Sequence, residues 1–442
     1  MRSTVTPAAG IAVIGAGWAG LAAAVEATRA GAHVTLYEMA PAPGGRARDV
    51  VSHGGPLDNG QHNCIGAYRE TLRLLAAVGV VEADVFERLP LTLVDAEGRG
   101  LRMRRGPPLA AFAWAVAGRR GWSWRERIAL LRVASRWRRA GFRALPAETV
   151  ADLAAGLPAA VRRDFIEPLC VAALNTPAGE ASGAVFLRVL HDALVGSPGS
   201  ADLLLPRVAL GSVFPAPALA WLERHGANVR LSHRITRIER VGSGWRLDGD
   251  NADRVVVAAS AVEAVRLVGA HGAAWAAQAG ALRHEPIATV YARSAGCALP
   301  EPMLALHAGD GGRPAQFVFD RGRLGGEPGT LAFVISGAAS WVQRGLAATE
   351  AATLAQGNAE LGHFLRGPLE ILRTIVEKRA TFACTPDLVR PPMDVAPGLF
   401  AAGDYLAGPY PATLEGAVLS GVAAARAATG RSGENSAMKV PA

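Results

Sequence analysis

The chain holds 442 residues, half of them apolar and 19% charged, which is too long for one compact core and too poor in charge for a disordered chain. Its four cysteines, Cys64, Cys170, Cys297 and Cys384, are scattered without a C-x-x-C pair, so neither a metal site nor a disulfide framework organises it. The formal charge of +8 is uneven: residues 99 to 143 carry thirteen arginines against one acid, Glu126, so that window is +12 and the remainder −4.

Gly10 to Ile14 reads as a short buried strand that breaks at once into a glycine turn and carries no cleavage signature, so it is not a signal peptide. The turn is Gly15-Ala16-Gly17-Trp18-Ala19-Gly20. Gly15 permits the tight bend, Gly17 lets backbone approach a diphosphate, and Gly20 lets the following helix pack close to the strand. That helix is predicted from about Leu21 to Ala30, ended by Gly31. A second strand, His33 to Tyr37, leads into Glu38, twenty-three residues after Gly15. A carboxylate there accepts bonds from ribose hydroxyls and repels a 2′-phosphate, which disfavours NADP. This is a βαβ opening of a doubly wound parallel sheet. Next comes Gly44-Gly45-Arg46, which adds backbone room and a fixed cation beside the diphosphate. NAD-only sheets do not need this extension, so it tips the cofactor towards FAD.

Leu57-Asp58-Asn59-Gly60-Gln61-His62 is a polar turn in a chain short of polar residues. One reading puts Gly60, Gln61 and His62 near a flavin ring; the other is an Asn-Gly turn with a hydrogen-bonded histidine. Residues 67 to 210 look helical, with Pro/Gly breaks. Within them, the basic window 99 to 143 also holds Trp114, Trp122, Trp124 and Trp137. Arginine interleaved with tryptophan suits a helix lying on anionic lipid; a solvated basic face is the alternative. No nucleic-acid module surrounds the window. Residues 229 to 238 and 245 to 247 alternate as strands, and 254 to 259 is an apolar strand. Further strands are predicted at 288 to 292, 316 to 319 and 331 to 336. Near the end, a buried strand closes on Gly403-Asp404, where the aspartate can hold ribityl hydroxyls. A helix beginning near Thr413 and Leu414 can turn its amides towards the flavin edge. The last dozen residues, from Arg431, look like a loose tail.

The fold class that follows is α/β: a Rossmann-like FAD-binding sheet interleaved with an α+β substrate domain. The FAD-binding part is assigned to 1–66, 211–260 and 391–430, and the substrate and membrane-contact part to 67–210 and 261–390. No run reaches the ~18 residues that span a bilayer. A cytoplasmic protein is expected, peripheral on the inner face of the cytoplasmic membrane.

Together the glycine turns, Glu38, Gly403-Asp404 and Thr413-Leu414-Glu415-Gly416-Ala417 resemble the flavin amine oxidase and phytoene desaturase superfamily over the whole length. In that superfamily the strand around Ile235 usually touches adenine through its backbone. Within it, the chain is similar to the hydroxysqualene dehydroxylases. The runs that carry this are Asp58 to His62 with Gly66 to Leu72, Pro168 to Pro177, Asp202 to Arg207, Glu377 to Phe382 and Tyr410 to Ala417. The resemblance implies reduction of hydroxysqualene to squalene by reduced FAD: protonation lets water leave, and hydride reaches the allylic cation. It also implies an electron donor that no motif identifies. His62 and Glu415, with Tyr68, are candidate proton donors by proximity to the flavin motifs, and Asn175 and Arg379 are candidates to line the substrate site. One departure bears on amine oxidation. The amine oxidases carry a lysine near the flavin on a substrate-domain strand, whereas the comparable stretch, about Pro286 to Ser294, has none. A carotenoid-type desaturase is the rival enzyme, and a prenyl-lipid carrier without flavin the non-enzymatic rival.

Overall fold

The structure, a computed structural model, describes residues 10–52, 55–309 and 312–430; the expected tail from Arg431 lies outside the described residues. Two sheets carry the architecture. The first has six strands in the order Asn228–Arg230, His33–Tyr37, Gly10–Ile14, Arg254–Val257, Leu399–Ala401, Asp394–Ala396. The first five run parallel and the last antiparallel. Its central strands are apolar and buried from Ile11 to Ile14 and from Val255 to Val257 because both faces are covered there. Ile11, Val13, Val256 and Phe400 face one core, while Ala12, Ile14, Val255, Val257, Leu399 and Ala401 face another. Full burial of each valine, leucine, isoleucine or phenylalanine among them contributes roughly 1.5–3 kcal/mol.

Two helices, Trp18–Arg29 and Leu414–Ala428, share one face of this sheet. They cross at backbone contact: a Cβ on Gly421 would lie 2.1 Å from the Ala19 carbonyl oxygen. The two ends of the chain are thereby locked together. The strand expected over 229 to 238 is divided. Asn228–Arg230 joins the large sheet, and Ile238–Val241 starts a small antiparallel sheet. Between them Ser232 takes a left-handed φ of 53°. The amides of Ser232 and His233 donate to the carbonyls of Ala40 and Glu38, which turns the segment back over the end of the second strand.

The second sheet is antiparallel, in the order Met303–Ala305, Phe317–Asp320, Thr330–Ile335, His284–Arg293, Glu370–Phe382. The 13-residue strand Glu370–Phe382 is absent from the sequence expectation. It is an edge strand with exposed charges, so no apolar alternation marks it. Its register against the neighbouring strand jumps from Glu285↔Thr381 to Ile287↔Glu377, so Lys378, Arg379 and Ala380 form a bulge. One face of this sheet, bearing Tyr291, Phe317, Phe319 and Val334, forms its own apolar cluster. The opposite face packs Ala288, Val290 and Phe333 against Leu361. The segment 67 to 210, expected to be helical, also contains the strands Phe86–Leu89, Thr92–Val94, Gly100–Arg102 and Leu203–Pro206. Gly100 makes the tight hairpin possible: its φ is 146°, and a Cβ there would meet the Leu93 carbonyl oxygen at 2.1 Å.

Candidate active site

A cavity of about 610 Å³ lies between the two sheets. One end is lined by Gly15, Gly17, Glu38, Gly44, Gly45, Ile235, Gly403, Asp404, Thr413 and Leu414. The other end is an apolar arm walled by the second sheet (Ile287, Met303, Phe317, Phe319, Val334, Ile375) and by Phe112, Phe165, Leu169 and Leu190 of the helical segment. The cavity runs without interruption from one end to the other.

The glycine-rich end fits the expected dinucleotide. Gly15 has φ 103°, and a Cβ there would strike the Ala258 carbonyl oxygen at 2.6 Å. A Cβ on Gly20 would sit 1.8 Å from the Gly15 carbonyl oxygen, so the helix can begin here only because both residues lack side chains. The N-cap, Gly17, makes no side-chain cap bond, so no side chain competes for the first-turn amides beside the cavity. Gly45, φ 61°, brings its backbone close: a Cβ on it would lie 3.2 Å from the Gly17 Cα. The Glu38 carboxylate accepts from the amides of Ala16 (2.6 Å) and Ala40 (2.8 Å). Each oxygen keeps a further lone pair for a ribose hydroxyl.

Arg46, expected beside the diphosphate, donates to the Asp404 carboxylate at 2.7 Å and to the carbonyls of Arg379 and Ala380 in the bulge. The Asp404 charge raises the pKa of Arg46. This pair ties the N-terminal glycine turn, the C-terminal Gly-Asp and the second sheet at one point. Beside it, Asn59 donates to the Arg46 carbonyl. Thr413 caps the C-terminal helix by accepting from the Gly416 amide at 3.0 Å. Ile235 lines the cavity from the turn rather than from a strand, and its carbonyl is engaged by Arg266 at 2.9 Å.

Gly60, Gln61 and His62 also line the cavity. Their loop is pinned from behind. The Tyr291 hydroxyl donates to the Asp58 carbonyl at 2.9 Å, the Leu210 amide donates to the Asp58 carboxylate, and Arg321 donates to the Gln61 amide oxygen. His62 Nδ1 lies 3.0 Å from the Gly60 carbonyl oxygen. A carbonyl only accepts, so Nδ1 carries the hydrogen. Burial lowers the pKa of His62, which favours the neutral ring and leaves Nε2 as a lone-pair acceptor.

Glu415 does not serve as expected. It is buried and absent from the cavity wall. Its carboxylate accepts from the Glu70 amide (3.0 Å), the Thr71 amide (2.9 Å) and the Thr71 hydroxyl (2.7 Å). It therefore caps the helix Arg69–Ala77, because the helix that carries it turns this residue away from the site. Tyr68 lines the cavity, where burial pushes its hydroxyl pKa up. Asn175 lines it too, but its amide is consumed by Thr381, Glu285 and Gly337. Arg379 lines an adjoining cleft with Arg46 and Asp404.

A polar cluster on the wall escapes the sequence. The Tyr410 hydroxyl donates to Asp192 at 2.6 Å, and Asp192 also accepts from Arg188 Nε at 2.9 Å and meets His191 Nδ1 at 2.9 Å. Burial pushes Asp192 up, but the bonds from Tyr410, His191 and Arg188 outweigh it and hold the carboxyl below its usual value. Burial, then Asp192, push Tyr410 up to about 12. The Arg188/Asp192 spacing of four along a helix was the one visible signal.

A family model described as flavin containing amine oxidoreductase matches residues 18–429. Hydroxysqualene dehydroxylase from Sinorhizobium fredii is 28% identical over 237 residues, 52% of this chain and 54% of that protein. Hydroxyneurosporene desaturase from Rhodobacter capsulatus is 56% identical over 82 residues, 18% of this chain and 16% of that one. The match thus spans about half the length of the first relative and a smaller part of the second. The solved structure of cyclohexylamine oxidase from Brevibacterium oxydans superposes with a TM-score of 0.68 at 18% identity, covering 96% of this chain and 99% of that one.

Proposed function

The chain belongs to the flavin-containing amine oxidoreductases, and from that premise we propose that this FAD-dependent oxidoreductase reduces hydroxysqualene to squalene. The observation that carries the proposal is the single cavity in which a glycine-rich dinucleotide end opens into an apolar arm. Similarity to a hydroxysqualene dehydroxylase supports the choice of substrate. Gly15, Gly17, Glu38, Gly44 and Gly45 would hold the nucleotide, and Asp404, Thr413 and Leu414 the flavin side. Bound and reduced, FAD supplies a hydride equivalent. The overall change replaces a carbon-bound hydroxyl with hydrogen and releases water. The chain's own residues must therefore exclude bulk water, hold the alcohol and deliver one proton to its oxygen. Phe112, Phe317, Phe319 and their neighbours provide the dry wall. We read 1–66, 211–260 and 391–430 as the FAD-binding part and 67–210 with 261–390 as the substrate part.

Anaerobic incubation of the reduced holoprotein with hydroxysqualene tests the proposal, with squalene as the product measured. No squalene would sink the substrate assignment while leaving the family standing. The hydroxyneurosporene desaturase match favours a second reading, hydride removal from a polyene precursor. Formation of a further double bond in phytoene, with a quinone as acceptor, would decide for it.

The same reading puts the protein against anionic lipid at the inner face of the cytoplasmic membrane. No helix of the described residues is long and apolar enough to cross a membrane. In the basic window Trp122 and Trp137 are buried, whereas Trp114 and Trp124 are 75% and 69% exposed beside exposed arginines. The helix Pro108–Ala117 lines the arm with Phe112 and exposes Trp114, which offers an insoluble product a short route to lipid. The double variant Trp114→Ala with Trp124→Ala should keep its fold and lose binding to phosphatidylglycerol vesicles; retained binding removes this part of the reading.

A further inference from the structure

Along the strand His284–Arg293, Ile287, Thr289 and Tyr291 share one face. Ile287 and Thr289 line the cavity, and the residues paired beside Thr289 are Val334 and Ile375. Thr289 is thus a hydroxyl set into an aliphatic wall. It is 1% exposed, and its Oγ1 has no hydrogen-bond partner among the described residues. A buried, unpaired hydroxyl is a standing cost that an isosteric valine would avoid.

Across from it stands the Gly60–His62 turn. Gly60 has φ 123°, and a Cβ on it would lie 3.7 Å from Thr289 Oγ1 and 3.6 Å from His62 Cε1. Gly60 thus brings the hydroxyl and the imidazole to the same spot, each within ordinary contact distance of where a side chain on residue 60 would stand. His62 gives its Nδ1 hydrogen to the Gly60 carbonyl, so Nε2 accepts. Thr289 can donate or accept. The neighbouring Asn59 bonds the Arg46 carbonyl, which sets this spot at the seam between the glycine-rich end and the apolar arm.

We propose that Thr289 and His62, brought together beside Gly60 on the cavity wall, form a hydroxyl-binding subsite that takes the alcohol group of an isoprenoid and rejects the corresponding hydrocarbon. An alcohol both donates and accepts; an alkene does neither. The subsite would hold hydroxysqualene by its oxygen and release squalene once that oxygen has left as water. It rests on the isoprenoid reading above.

The flavin-loaded protein is titrated with hydroxysqualene and, separately, with squalene, following the flavin absorption spectrum. The alcohol should bind more tightly. Thr289→Val should weaken alcohol binding by about tenfold, leave squalene binding and the ligand-free flavin spectrum unchanged, and be rescued by Thr289→Ser. Equal loss for both ligands, loss for neither, or a changed ligand-free spectrum with alcohol preference intact would overturn the subsite; the last result would assign the hydroxyl to the cofactor. If the unaltered protein binds neither ligand, the isoprenoid reading itself falls and takes the subsite with it. If it binds both and Thr289→Val changes nothing, only the subsite falls.

Discussion

The two ends of the cavity are built on opposite principles. At the glycine-rich end function comes from missing side chains: Gly15, Gly20 and Gly45 let backbone approach backbone, and a methyl on Gly15 or Gly20 would collide. In the apolar arm function comes from side chains, large ones supplied by five strands and several helices that are distant in sequence. The lesson is that the first end should be brittle to small changes and the second tolerant of them.

Gly20→Ala is the sharpest test of that contrast. Its Cβ would sit 1.8 Å from the Gly15 carbonyl oxygen, and neither backbone can yield. We expect a loss of about 3 kcal/mol or more and protein purified without flavin colour. A yellow variant of normal stability would end the comparison. Glu415→Gln comes next. It replaces an acceptor of three bonds at the end of the helix Arg69–Ala77 and should cost about 2 kcal/mol in denaturant unfolding. Turnover per bound flavin should not change; a selective loss of turnover would restore Glu415 as a catalytic group.

A smaller effect is expected in the layer behind the cavity wall. Tyr291→Phe removes the bond to the Asp58 carbonyl at a cost of about 1 kcal/mol, with flavin retained. Loss of flavin would mean the two ends are not independent. The smallest effect concerns the far side of the second sheet. His307 Nδ1 meets Glu360 at 2.9 Å, and that bond raises the histidine's pKa. Because the folded pKa lies above the unfolded one, this contact stabilises fully below the ordinary value of 6.5 and fades as pH rises through the raised value. The protection of the helix Leu346–Leu361 against amide exchange, taken relative to the intrinsic rate at each pH, should therefore fall over that rise, and His307→Gln should abolish that fall. An unchanged pH profile in the variant would show the contact idle.

How much was legible divides along the same line. Gly15, Gly17 and Glu38 could be read because a short strand, a glycine turn, a helix and an acid follow one another within thirty residues, and local chemistry dictates each. Gly403-Asp404 and Thr413 could be read for the same reason, although 358 positions separate Arg46 from its partner Asp404. Four conclusions depended on distant contacts. The strand at 229 to 238 divides because Ser232 and His233 bond back to Ala40 and Glu38. Glu415 is a cap rather than a wall residue because a helix 344 positions away offers it amides. The edge strand Glu370–Phe382 has no apolar alternation to declare it. Thr289 becomes conspicuous only once its neighbours prove to be apolar and its hydroxyl unpaired.

Sequence alone therefore determined the glycine-rich end, the βαβ opening, the cofactor and the superfamily, since those rest on backbone conformations that only particular residues permit. Tertiary structure decided which polar groups face the cavity, which of the four tryptophans stay outside, and how the arm is walled. Burial and pairing are properties of neighbours, and several of those neighbours, Asp404 beside Arg46 and Thr71 beside Glu415 among them, arrive from hundreds of residues away.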